Sequence, residues 1–77
     1  MRKYQEAFAS ALNIDIADVN EKLAYGTIPS WDSIGQMILV SSIEDAFNIE
    51  FNPADILAFD SYQKGIELLS ASYEIAF

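Results

Sequence analysis

Apolar residues recur at helical spacing along most of this chain. Tyr4, Ala7, Phe8, Ala11 and Leu12 fall at i, i+3, i+4, i+7 and i+8, which lays one apolar stripe along a helix predicted over about Arg2 to Leu12. From Asn13 to Trp31 the pattern loosens. Ile14, Ile16, Val19 and Leu23 supply apolar anchors while Gly26, Pro29 and Ser30 mark irregular chain, so the stretch reads as a long loop pinned to a core. Helical spacing resumes with Leu39, Val40, Ile43 and Phe47. Ser33 with Gln36 matches the Ser-x-x-Gln capping box, so a second helix is predicted over about Ser33 to Phe47 with Ser33 as its cap.

After a link from Asn48 to Phe51, Asn52-Pro53-Ala54-Asp55 has the marks of a helix start: a capping Asn, a Pro at the first helical position and an acid near the positive end of the dipole. That third helix is short, about Pro53 to Ala58. Asp60 with Gln63 suggests another cap, and Tyr62, Ile66, Leu69 and Tyr73 mark a fourth helix ending near Ser72, before a tail from Glu74 to Phe77 expected to fray. No segment alternates with period two and no internal repeat is visible. The pattern therefore predicts an all-α fold, a small four-helix bundle of three main helices and one short one, in a single domain over residues 1–77.

Charge changes this picture by restricting the partners. Twelve acidic against 4 basic residues give a net charge of −8, which disfavours nucleic-acid backbones and anionic membranes and points to basic protein partners. The longest strong apolar run, Met37-Ile38-Leu39-Val40, is too short to span a bilayer, and polar residues follow Met1-Arg2-Lys3 where a signal peptide needs an apolar run. A cytoplasmic setting without membrane insertion is expected. The chain has no His, which removes histidine-based triads, proton shuttles and common zinc sites, and no Cys, which removes thiol nucleophiles and thiolate ligands. The glycines Gly26, Gly35 and Gly65 are too scattered for a phosphate loop. Asp15, Asp18 and Asn20 lack the calcium-loop spacing, and the adjacent Glu44-Asp45 pair reads as a solvated helix face. No constellation supports an enzyme.

What remains is the segment Asp32-Ser33-Ile34, at the end of a long loop and the start of a helix. A loop of that length in a small domain is unusual and often functional. A hydroxyl placed there is exposed, and the adjoining free amides and helix dipole favour a phosphate on it. Asp32-Ser33-Ile34 resembles the Asp-Ser-Leu signature of acyl carrier proteins. The order of helices, the acidic pair Glu44-Asp45 with Phe47, and Ile49 to Phe51 extend the resemblance over nearly the whole chain. It implies that Ser33 is the cofactor-attachment residue, taking 4′-phosphopantetheine from coenzyme A through a phosphopantetheinyl transferase that supplies the magnesium ion and the base. The arm's thiol then answers the missing cysteine, and acyl or aminoacyl cargo rides on it as a thioester.

The resemblance further implies a monomeric carrier that meets loading ligases and acyltransferase or synthase enzymes through basic docking patches. The partner-contacting residues it implies are Asp32, Ile34, Met37, Glu44 and Asp45. From spacing alone, Ile34 and Met37 also suit a core. Gly35, Gln36, Ile38 and Ser41-Ser42 depart from fatty-acid synthesis carriers, and Trp31, Phe51 and Asp55-Ile56-Leu57 look like specialised stand-alone carriers of polysaccharide, secondary-metabolite or aminoacyl-transfer pathways. Peptidyl carriers usually have a glycine pair before the serine, which Ser30-Trp31-Asp32 lacks. The competing reading is an arm-free acidic helical interaction module, with Ser33 only a helix cap.

Overall fold

The computed structural model describes residues 1–77. Four helices follow one another, α1 (Arg2–Leu12), α2 (Ser33–Phe47), α3 (Pro53–Ala58) and α4 (Tyr62–Ser72), with a single 3₁₀ turn at Ile16–Asp18 in the long loop. The fold is all-α, and its helix ranges are those the apolar periodicity predicts. No helix is long and apolar enough to cross a membrane.

Local chemistry explains the ends. Asn13 and Asn48 adopt left-handed backbone (φ 55° and 53°), and the next amides, of Ile14 and Ile49, bond back to the carbonyls of Ala9 and Glu44 at 3.1 Å each. Asparagine thus does at both sites what glycine more often does at a helix C-terminus. Asn52 caps α3 as expected, its Oδ1 accepting the Asp55 amide at 2.9 Å with Pro53 in the first turn. The cap of α4 is Ser61 rather than Asp60, with Ser61 Oγ accepting the Lys64 amide at 3.0 Å. The tertiary structure decides this. Ser61 is held extended by an antiparallel bridge to Ala24, in which Tyr25 N donates to Asp60 O (2.8 Å) and Tyr62 N to Leu23 O (3.0 Å).

That bridge pins the long loop to the start of α4. Of the loop's expected anchors, Val19 and Leu23 are buried and Ile14 half-buried, whereas Ile16 lies exposed on the 3₁₀ turn. The core is built on aromatic rings: Tyr4, Phe8, Trp31 and Phe59 are fully buried, with Tyr4–Phe8 and Phe8–Trp31 meeting edge to face at 4.9 and 5.4 Å between ring centres. The Tyr4 hydroxyl donates to Tyr62 O at 2.6 Å, and burial, with Tyr62 adding to it, pushes its ionisation well above the ordinary tyrosine range.

A side chain at Gly65 would collide with that Tyr4 hydroxyl and come within 2.8 Å of the Phe59 ring, so the approach of α4 to α1 requires a glycine. The tail folds back onto the body. Glu74 turns the chain with φ 57°, Ile75 packs on the core, and the Phe77 ring reaches Tyr4 (5.3 Å) and Phe47 (6.1 Å). Apolar Ile75 and Phe77 gain by covering rings that water would otherwise meet.

Candidate functional site

The chain enters α2 through a tight turn. Gly26 (φ 83°) donates its amide to Trp31 O at 3.0 Å, and the Trp31 side chain is fully buried against Phe8 and Phe59. With Trp31 fixed, Asp32 takes an extended conformation and its Oδ1 accepts the Gly35 amide at 2.8 Å. Asp32 is therefore the N-cap of α2, and the expected Ser33–Gln36 capping box does not form. The reason lies in tertiary contacts. Gln36 Oε1 accepts from Trp31 Nε1 (2.6 Å), while Gln36 Nε2 donates to Phe59 O (2.8 Å) and Ile56 O (3.1 Å). Gln36 thus joins the loop, α2 and the end of α3, and is unavailable to the helix start. Gly35 is buried against the Ser30 carbonyl oxygen, which a Cβ there would strike, so the position needs a glycine.

Released from capping, Ser33 sits in the first turn of α2 with its side chain exposed. Its Oγ has one hydrogen-bonding partner in the protein, the Tyr25 hydroxyl at 3.2 Å. The amides of Ser33 and Ile34 have no acceptor in the protein, as the start of a helix leaves them. Beside Ser33 opens a cavity of about 360 Å³, walled by Tyr25, Met37, Ile56, Leu57 and Phe59 and therefore mostly apolar. Its size falls in the range of small-molecule sites.

The predicted site residues separate into two groups. Asp32, Ser33, Ile34 and Met37 come together at the N-terminal end of α2, with Ile34 71% and Met37 64% exposed, on the surface and outside the core. Ile38 and Leu57, the latter 86% exposed, add to the apolar surface at this end. Glu44 and Asp45 lie near the other end of α2, roughly 17 Å along its axis from Ser33. Glu44 is half-buried and its Oε2 accepts the Phe51 amide at 2.8 Å, a structural tie that fixes the link to α3. Asp45 is exposed and borders a groove with Lys3, Glu6 and Ser10 of α1.

Sequence reasoning passed over Tyr25, Gln36 and Leu57 as site residues. Only α2 carried a usable signal: it is apolar around most of its circumference, so one apolar face had to be left without a core partner. Tyr25 reaches Ser33 across seven intervening residues of irregular loop, and no periodicity reports that contact. No family model, curated protein or solved structure matches the chain.

Proposed function

We propose that this protein is a stand-alone acyl carrier whose Ser33 receives a 4′-phosphopantetheine arm from coenzyme A. The reading is carried by one observation: an exposed serine hydroxyl in the first turn of α2, not needed as a cap, at the mouth of an apolar cavity. Attachment forms a bond from Ser33 Oγ to the phosphorus bearing pantetheine. The phosphoanhydride of coenzyme A breaks, adenosine 3′,5′-bisphosphate leaves, and the serine proton passes to the transferase. The surroundings suit such a group. The free amides of Ser33 and Ile34 and the positive end of the α2 dipole favour the phosphodiester anion. Bound there, the arm supplies the thiol that a chain without cysteine lacks.

The rest of the surface supports the same role. Ile34, Met37, Ile38 and Leu57 form an exposed apolar patch on a molecule of net charge −8, which suits transient docking to loading ligases and acyltransferase or synthase enzymes that present apolar pockets rimmed by Lys and Arg. Asp32 borders this patch and Asp45 lies farther along α2, while Glu44 is already engaged by Phe51. The chain carries and its partners catalyse, as a monomeric acyl-carrier-like bundle in the cytoplasm. The departures at Gly35, Gln36 and Ile38 favour a specialised pathway over fatty-acid synthesis.

The test is intact-protein mass after incubation with coenzyme A, magnesium and a broad-specificity phosphopantetheinyl transferase, followed by fragment mapping. The reading predicts a gain of one phosphopantetheine on the peptide containing Ser33. Absence of any gain on the folded protein with several transferases would overturn it and leave the arm-free interaction module, for which the same apolar patch would be the docking face.

A further inference from the structure

We propose that Tyr25 is a positioning residue for the Ser33 oxygen, holding it for attack before the arm is attached and donating a hydrogen bond to the phosphodiester afterwards. This rests on the assignment of Ser33 as the attachment site. Within the protein the two hydroxyls have only each other as partners, at 3.2 Å. The phenol is not there by chance of a loose loop. Tyr25 N is bonded to Asp60 O (2.8 Å), Gly26 N to Trp31 O (3.0 Å) and Thr27 N to Ala24 O (3.0 Å), so the backbone on both sides of the ring is fixed. The ring walls the cavity together with Met37, Ile56 and Leu57, while nearly half of the residue stays in solvent.

A phenylalanine would line that wall equally well, so the hydroxyl adds only what it does at Ser33. An exposed serine otherwise samples three side-chain rotamers, and one hydrogen bond to a rigid ring favours one of them. Pre-orienting a nucleophile in this way raises the rate of the step it enters. Once Ser33 Oγ is esterified it has no proton to give. Before attachment either hydroxyl can donate to the other; afterwards only the Tyr25 O–H can donate, and the new phosphate oxygens, two bonds from Ser33 Oγ and anionic, are stronger acceptors than the serine was.

The decisive comparison is between wild type, Tyr25→Phe and Tyr62→Phe. The last deletes a phenol bonded to Gln5 and Met1, away from Ser33. Attachment is followed by mass under steady-state conditions, and the loaded proteins are compared by their phosphorus-31 resonance. Tyr25→Phe is expected to keep the wild-type melting temperature and the KM for the carrier, to lower kcat for attachment roughly 3- to 10-fold, the worth of one hydrogen bond, and to shift the phosphorus resonance. Tyr62→Phe is expected to leave kcat and the resonance at wild-type values. Equal kcat and an identical resonance in Tyr25→Phe and wild type would overturn the role of Tyr25 while leaving the carrier reading intact. Failure of wild type itself to accept the arm would overturn both.

Discussion

Along one face of α2, Gly35, Leu39, Val40 and Ile43 are buried in the core, whereas along another Ile34, Met37 and Ile38 stand in solvent beside Ser33. Both faces are apolar, and only their partners differ. The buried face meets the aromatic centre of α1 and the loop, and gains the full transfer free energy of its side chains. The exposed face, with Ile34, Met37 and Ile38 at 71%, 64% and 48% exposure, gains much less from folding and adds to the surface's tendency to associate. Three large apolar side chains left in water around an exposed serine hydroxyl are what the proposed carrier role would use as a docking surface. The polar residues divide in the same way. Gln36 and Glu44 join elements through their side chains, whereas Ser33 is engaged with one exposed hydroxyl.

The contrast breaks most sharply at Trp31. Trp31→Ala removes the ring between Phe8 and Phe59 and is expected to cost about 3–5 kcal/mol in urea denaturation, enough to unfold much of the protein. A cost below about 1 kcal/mol would mean that the aromatic centre on which the buried face of α2 rests is not what holds the fold. Next comes Gln36→Leu, which strands Trp31 Nε1 and the carbonyls of Ile56 and Phe59 and should cost about 2–3 kcal/mol by the same assay.

Alkaline titration sharpens the core side further. In the fold Tyr4 ionises well above its ordinary value of 10.0, so its contribution is fully present below that pH. Above it, the unfolded chain releases a proton that the folded chain keeps, and stability falls with rising pH, by about 1.4 kcal/mol one unit higher. Tyr4→Phe should flatten this alkaline limb, read by denaturant midpoints between neutral and alkaline buffers. On the exposed side the effects shrink. Asp32→Ala removes the N-cap and should cost about 1 kcal/mol, whereas Ser33→Ala should stay within about 0.5 kcal/mol of wild type.

The fold was legible because it depends on patterns local to each helix. Tyr4, Phe8 and Leu12 set α1 by spacing alone, and Asn52-Pro53 set the start of α3 by local backbone chemistry. Ser33 was legible as a candidate from its place between loop and helix, which also predicts its exposure there. Its freedom was not. Ser33-x-x-Gln36 and Asp32-x-x-Gly35 are both acceptable caps locally, and the choice is made by Trp31, Ile56 and Phe59, which draw Gln36 away. The same limit hid Ser61 behind Asp60, where the bridge to Ala24 sets the backbone, and hid the packed tail, where Phe77 finds Tyr4 and Phe47 from far along the chain. Spacing also could not divide the apolar residues of α2 between core and surface, because that division depends on what the other elements cover.

The central claim is that Asp32 serves the fold and thereby frees Ser33 for chemistry. It is tested most directly by measuring arm attachment and melting temperature together on wild type, Ser33→Ala and Asp32→Ala. The account predicts that wild type gains one phosphopantetheine, that Ser33→Ala gains none yet melts at the wild-type temperature, and that Asp32→Ala melts several degrees lower. A Ser33→Ala variant that loses stability as Asp32→Ala does, or that still accepts the arm, would contradict it.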